Sequence, residues 1–123
     1  MVTSMSETTY EGSCHCGAVR FQVTMPAPQK AMACNCSICS RAGWRLTFVA
    51  GDQLRLLQGG DALVDYQFGK KHLHHPFCRV CGVRPFSRGA GRGGEPMFGV
   101  NLRCLSGLEV DELPVERFDG ASL

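Results

Sequence analysis

The sequence has no long apolar run and no large excess of charge of either sign. No apolar stretch approaches the roughly 20 residues that a membrane-spanning helix requires. Thirteen Lys and Arg residues stand against eleven Asp and Glu residues, which leaves a net charge of +2, and the basic residues are scattered along the chain. We therefore expect neither a membrane protein nor a nucleic-acid-binding surface.

The first ten residues lack the features of a secretory signal. They are polar and rich in Ser and Thr, and they contain no basic segment followed by an apolar run. We interpret residues 1–10 as a short flexible tail and expect a cytoplasmic protein. Thiols stay reduced in that compartment, where clustered cysteines are more often metal ligands than disulfides.

Cysteine is what the sequence does contain. Seven of its eight cysteines lie in three short clusters: Cys14-His15-Cys16, Cys34-Asn35-Cys36-Ser37-Ile38-Cys39 and Cys78-Arg79-Val80-Cys81. Two cysteines on one short loop can direct both sulfurs at one ion about 2.3 Å away, the usual zinc–thiolate distance. A secreted disulfide framework is the first alternative, and the missing signal segment argues against it. A thioredoxin-like redox pair is the second, but Gly82 and Pro85 indicate a tight turn rather than the start of a helix.

The apolar pattern along the chain favours strands over helices. Val19, Phe21 and Val23 alternate with polar residues, as in a half-buried strand. Similar alternation or short apolar runs occur at residues 46–50, 54–57, 64–68 and 98–102. Turns rich in Gly, Asp and Pro separate these segments. The sequence therefore predicts a small, antiparallel, all-β domain stabilised by zinc, with at most a brief helix.

Two pairings of the clusters are open at the outset. The two outer clusters can combine into one closed site of four thiolates, or either outer pair can combine with members of the middle cluster. The first pairing leaves the middle cluster intact, with three sulfurs spaced to hold one face of an ion. We therefore favour a structural zinc site whose ligands are Cys14, Cys16, Cys78 and Cys81.

The middle cluster then predicts a second zinc, held by Cys34, Cys36 and Cys39. Catalytic zinc sites typically have three protein ligands and one open position. Three thiolates lower the Lewis acidity of zinc but favour a further thiolate, which the metal keeps deprotonated and nucleophilic. A fourth protein ligand would instead close this site, and its candidates are Cys104, His72, His74 and His75.

These motifs together resemble one protein family. The segments GSCHCGAV (12–19), CNCSIC (34–39), FCRVCG (77–82) and VNLRC (100–104) are similar to motifs of the glutathione-dependent formaldehyde-activating enzyme (GFA) family, which includes centromere protein V. The similarity runs from about residue 11 to 120 and implies one zinc-binding domain of the β-tent type. It also implies the division into a structural four-cysteine site and a catalytic three-cysteine site. Asn35 departs from the pattern, since many members have histidine there.

The resemblance implies an enzyme that is similar to S-(hydroxymethyl)glutathione synthase. Such a carbon–sulfur lyase acts on the adduct of glutathione, or another thiol, with formaldehyde or another carbonyl compound. The alternative is a non-catalytic zinc scaffold that binds another macromolecule. Because glutathione carries two carboxylates, we expect basic residues near the second zinc. Proximity along the chain favours Arg41 and Arg45 for this role, with Lys70 and Lys71 as further candidates.

Overall fold

Ten β-strands and one short α-helix form the regular structure of the computed structural model, which describes residues 7–91 and 93–122. The strands are β1 (Glu7–Ser13), β2 (Arg20–Pro26), β3 (Ala31–Cys34), β4 (Leu46–Ala50), β5 (Leu54–Gln58), β6 (Leu63–Tyr66), β7 (His75–Cys78), β8 (Phe86–Ala90), β9 (Pro96–Asn101) and β10 (Val115–Phe118). The helix α1 spans Ser37–Ala42. The predicted all-β class with a brief helix is confirmed.

The strands form three sheets. The first has the order β1-β2-β5, the second β10-β3-β4-β9-β8, and the third pairs β6 with β7. The pairs are antiparallel except for β10, which runs parallel to β3. Within the described residues no helix is long and apolar enough to cross a membrane.

The main core draws its side chains from both larger sheets. On β2 the predicted alternation is confirmed, because Phe21, Val23 and Met25 are buried while the residues between them are not. The ring of Phe21 meets the ring of Phe86 on β8 edge to face, with centroids 5.5 Å apart, and so connects the two sheets. Phe86 in turn meets Phe98 at 5.4 Å. Such aromatic pairs add roughly 0.5–1.5 kcal/mol beyond the burial of their surface.

Two sequence expectations differ from the structure at the level of single strands. Residues 7–10 of the predicted tail belong to β1 and pair with β2, and Tyr10 is buried. The β-branched and aromatic side chains at 8–10 favour such a strand; residues 1–6 lie outside the described part. The alternating residues of the 64–68 segment face solvent, since Val64 and Tyr66 are 41% and 45% exposed.

Gly12 allows the core to close over β1. A Cβ atom at this position would overlap the buried ring of Phe21 on the neighbouring strand. We therefore expect Gly12→Ala to lower the free energy of unfolding by about 1–3 kcal/mol, because overpacking displaces the ring. Urea unfolding measures this change. Gly60→Ala is the matched control, since its nearest contact would be Leu56 Cδ2 at 3.4 Å. An unchanged midpoint for Gly12→Ala would contradict the packing argument.

Candidate metal centres

The four outer cysteines converge on one point. Their sulfur atoms all lie within 4.8 Å of one another, although Cys16 and Cys78 are 62 residues apart in the chain. The Cys14–Cys16 and Cys16–Cys78 sulfur distances are 3.6 and 3.7 Å. Sulfurs that bind one ion tetrahedrally at about 2.3 Å are separated by roughly 3.8 Å. The spacing therefore fits a closed tetrahedral site, and an all-sulfur donor set is compatible with zinc.

Two glycines allow the chain to turn back directly after each outer pair. Gly17 follows Cys16 with φ of 84°, and Gly82 follows Cys81 with φ of 82°. Residues with a side chain rarely adopt this left-handed conformation, whereas glycine adopts it at little cost. The second turn is closed by a hydrogen bond from Gly82 N to Cys78 O at 2.7 Å. Both pairs therefore lie on tight turns at strand ends, as the sequence suggests.

Backbone amides support the sulfurs of this group. Val19 N donates to Cys14 Sγ at 3.3 Å, and Val80 N donates to Cys78 Sγ at 3.4 Å. Cys14 and Cys78 are buried and pack with Val19 and Ala62 in a second apolar cluster. Amide donors stabilise ligating thiolates and orient them toward a metal. Half of the site is thus part of the hydrophobic interior, as expected for a structural role.

Crowding of the four sulfurs separates their pKa values. Backbone hydrogen bonds from Val83 and Cys16 help to lower the pKa of Cys81 to about 6. The backbone of Ala18 lowers the pKa of Cys16, but burial and the three neighbouring sulfurs outweigh this effect and raise it to about 11. The Cys81 thiol therefore ionises easily, whereas ionisation of the nearby Cys16 thiol is disfavoured. A bound cation removes this conflict, because it allows all four to be thiolates together.

The middle cluster forms a second, separate sulfur group. Cys34 ends β3, Cys36 is the N-cap of α1 and Cys39 lies in the first turn of that helix. Their three sulfurs lie within 4.8 Å of one another. Cys36 N donates to Cys34 Sγ, and Cys39 N donates to Cys36 Sγ, both at 3.5 Å. The start of the helix therefore directs backbone N–H groups at the sulfurs, which favours thiolates there.

Burial and charge act differently on the sulfurs of this group. Burial, together with the neighbouring Cys36 and Cys34, raises the pKa of Cys39 to about 12, although the Trp44 side chain opposes the rise. For Cys36, burial raises the pKa, but hydrogen bonds from Cys39 and Cys34 outweigh it and leave the pKa below its ordinary value. As in the outer group, three thiolates this close require a cation to coexist.

A cavity of about 340 Å³ adjoins this group on one side. Cys34 and Cys39 line it and Cys36 does not, so two of the three cysteines border the cavity. Arg45 and Arg117 also line it, and neither forms an ion pair with any residue in the described part of the chain. The remaining lining residues include Asn35, Asp119 and Trp44.

Of the basic residues predicted near the second site, only Arg45 reaches this cavity. Arg41 lies in α1 two residues after Cys39, a rotation of about 200° around the helix, so the two side chains face opposite sides. Arg41 instead lines another cavity with Tyr66 and Phe68, and its Nη1 donates to Ser37 O at 3.0 Å. The expectation for Arg41 is therefore wrong. Lys70 and Lys71 are exposed and do not line the cavity.

Sequence reasoning missed Arg117 because no local pattern marks it. It lies in β10, which pairs in parallel with β3 and places Arg117 opposite Ala33, next to Cys34. The two strands are far apart in the chain, and only their pairing brings Arg117 to the cavity that Cys34 and Cys39 also line. A parallel pair at the end of β3 has no sequence signal comparable with the hairpin turns of antiparallel pairs.

The four candidates for a further protein ligand lie elsewhere. The His74 ring contacts the Asp65 carboxylate, and His75 Nδ1 lies 3.1 Å from Tyr66 O. Cys104 packs against the main core, with its Sγ 3.9 Å from Arg84 O, and burial raises its pKa to about 12. His72 lines a different cavity. In the portion of the chain that the structure describes, the three-sulfur group thus has no fourth Cys, His, Asp or Glu donor.

Comparison with known proteins identifies relatives of this architecture. The family described as "Glutathione-dependent formaldehyde-activating enzyme" matches residues 9–114. A curated Halomonas elongata protein named "Putative glutathione-dependent formaldehyde-activating enzyme" is 35% identical over 79 residues. The match covers 58% of this chain and only 50% of that relative's length. A crystal structure of a Rhodobacter sphaeroides protein superposes with a TM-score of 0.75 at 34% identity, covering 86% of this chain and 99% of that one.

The two sulfur groups are expected to differ in what they stabilise. A structural zinc contributes on the order of 10 kcal/mol to the folding of a small domain. Cys78→Ser should therefore yield unfolded or insoluble protein, because Cys78 is fully buried. Cys39→Ser should stay folded and lose one metal. Circular dichroism and elemental analysis measure the two effects.

Wild-type protein purified without chelator sets the reference, with close to two zinc ions per chain expected. Cys39→Ser should retain close to one. A wild-type value near one would remove the second site, and iron with visible absorbance would overturn the choice of metal. Equal folding of the two variants would show that the division of ligands is wrong.

Proposed function

Because this chain belongs to the glutathione-dependent formaldehyde-activating enzyme family, we propose that it is a zinc-dependent carbon–sulfur lyase-like enzyme. Its substrate is the adduct of glutathione, or a related thiol, with formaldehyde or another carbonyl compound. One observation carries the proposal: two residues of a three-cysteine group line a cavity that is also lined by two arginines without ion-pair partners among the described residues. The combination matches a ligand that has both a thiol and carboxylates.

In this proposal the outer group, Cys14, Cys16, Cys78 and Cys81, holds a structural zinc, and Cys34, Cys36 and Cys39 hold the second. When bound at the three-cysteine group, zinc supplies a position at which a substrate thiol is held as a thiolate. All eight cysteines are free of disulfides, which suits the reducing cytoplasm in which we place the protein. Residues 11–120 would form the functional domain.

The chain's own residues define how such a substrate is oriented. Since Cys34 and Cys39 face the cavity and Cys36 does not, the substrate sulfur approaches from the Cys34–Cys39 side. Arg45 and Arg117 are positioned to bind the carboxylates at the same cavity. A hydrogen bond between charged groups contributes about 1.5–3 kcal/mol. Binding energy from these remote groups would fix the sulfur and the carbonyl carbon in a productive arrangement.

The reaction needs no oxidant or reductant. In the forward direction a carbon–sulfur bond forms between the thiol sulfur and the carbonyl carbon, the carbonyl π bond breaks, and the thiol proton ends on the carbonyl oxygen. The reverse reaction cleaves the same bond and returns the proton.

A non-catalytic zinc scaffold is the second candidate function. One observation favours it: several large apolar side chains on β5 and β6 are exposed, among them Leu57, Val64 and Tyr66 at 41–45%. Exposed apolar groups of this kind can form a protein interface. A scaffold of this type would not bind glutathione. Titration of glutathione into the zinc-loaded protein, described below, therefore discriminates between the two functions.

Catalysis is tested directly with glutathione and formaldehyde, whose adduct also forms slowly without enzyme. We expect the zinc-loaded protein to accelerate exchange between free and hydroxymethylated glutathione, as measured by NMR exchange spectroscopy. Cys36→Ser should reduce the rate to the uncatalysed level, because the three-sulfur group loses one donor. Arg41→Ala should retain wild-type exchange. If the wild type does not exceed the uncatalysed rate, the lyase proposal fails and the scaffold remains.

Carboxylate recognition is tested by calorimetry of glutathione with zinc-loaded protein. Arg45→Ala and Arg117→Ala should each weaken binding about ten- to a hundredfold, since each removes a charge-assisted contact. Arg41→Ala is the matched control, because it removes the same charge from the opposite side of α1. Zinc content should be the same in all three. Equal affinities for the wild type and both cavity variants would exclude this role for the arginines.

A further inference from the structure

The segment that follows β10 lies directly on the three-cysteine group. Gly120 contacts the sulfur of Cys34 so closely that a Cβ atom at this position would overlap Sγ. The same Cβ would lie 3.5 Å from Cys36 Cβ. The backbone at Gly120 therefore covers part of the Cys34 sulfur. Cys34 also lines the cavity, so the Gly120 segment and the cavity both border this cysteine.

One side chain fastens this segment to the cysteine loop. Asn35 Nδ2 donates to Asp119 Oδ1 at 3.0 Å, and Asn35 Oδ1 accepts from Ala121 N at 2.9 Å. Asn35 N also donates to Phe118 O at 3.1 Å and so extends the pairing of β3 with β10. The second carboxylate oxygen of Asp119 accepts from Ser122 Oγ at 2.7 Å. The carboxamide thus uses both its donor and its acceptor on the same short segment.

Hydrogen bonds, rather than apolar burial, hold this part of the segment. Asp119, Ala121 and Ser122 are exposed, and Gly120 is only half-buried. Segments with few buried apolar contacts open locally at low free-energy cost. The hydrogen bonds of Asp119 to Ser122 and Asn35 also hold the pKa of its carboxyl below the ordinary value, as expected for an ionised acceptor. Loss of the Asn35 amide should therefore release residues 119–122 from Cys34.

We propose that Asn35 is a positioning residue of the three-cysteine site, which fastens the segment 119–122 over Cys34 and thereby slows loss of the bound metal. The inference rests on the proposed function, because it requires zinc at this group. Asn35 does not touch the substrate or the metal in this role. It acts through Gly120, whose backbone shields Cys34 from water and from competing ligands. Ligand-orienting groups outside the first coordination sphere commonly alter metal affinity.

The test measures zinc release to a chromophoric chelator. Wild-type protein should release zinc in two phases, and the phase that disappears in Cys39→Ser identifies the three-cysteine site. Asn35→Ala should accelerate that phase about tenfold, which corresponds to the loss of two ordinary hydrogen bonds. The slower phase, from the outer group, should not change. Gln22→Ala is the control. It removes an amide that bonds to Glu11 within the β1-β2-β5 sheet, whereas Asn35 follows β3 of the other large sheet.

Exchanging the side chains of residues 35 and 119 distinguishes the proposed positioning role of Asn35 from a general loss of stability. Asn35→Asp alone places two carboxylates against each other and should accelerate release. Combined with Asp119→Asn, it restores all three side-chain hydrogen bonds. Donor and acceptor are reversed between residues 35 and 119, while Ala121 N still donates to residue 35 and Ser122 Oγ still donates to residue 119. The double variant should therefore release zinc at nearly the wild-type rate. Amide hydrogen exchange at residues 119–122 should be fast in Asn35→Ala and Asn35→Asp and slow in the double variant.

The outcomes of these experiments distinguish a failure of the positioning role of Asn35 from a failure of the proposed function on which that role rests. If wild-type protein binds two zinc ions and Asn35→Ala releases both at the wild-type rates, the positioning role of Asn35 is overturned and the proposed function stands. If Asn35→Ala accelerates zinc release equally in both phases, Asn35 affects overall stability and the positioning role is again overturned. A wild type with a single zinc overturns both proposals.

Discussion

Convergence of four cysteine sulfurs from the ends of β1 and β7 is the constraint on which the rest of the structure depends. The sulfurs lie within 4.8 Å of one another although they come from two different sheets. A chain of 123 residues buries only a modest core, so a metal bound at this point would stabilise an arrangement that apolar contacts alone hold weakly. Cys14 and Cys78 pack inside the second apolar cluster, so binding of a metal there would be coupled to folding.

The second sulfur group uses the same chemistry in a more open setting. It lies at the junction of β3 and α1, where backbone N–H groups favour thiolates, and none of its three cysteines is fully buried. Two of its cysteines line a cavity with arginines on its wall, and Gly120 lies against the sulfur of one of them, Cys34. The two groups thus use one ligand type but differ in number. The outer cysteines supply four sulfurs, enough for a closed tetrahedral site, whereas the middle cluster supplies three and leaves one position open.

Much of the candidate site could be predicted from the sequence, because tight spacing makes it local. Two cysteines separated by one or two residues must lie close together, whatever the fold. The same reasoning failed for Arg41, since helical rotation turns a residue near Cys39 in the chain to the opposite side. It also missed Arg117, which reaches the cavity only through the pairing of β10 with β3.

The sequence by itself determined the strand content, the three cysteine clusters, the metal chemistry they allow and the family resemblance. These properties depend on residue type and on short-range spacing, which the chain specifies directly. Only the tertiary structure decided which clusters converge, that β1 begins at Glu7, and that Arg117 and Gly120 border the open site. Contacts between residues far apart in the chain depend on the packing of whole sheets, and no local pattern encodes which distant strand will be the neighbour.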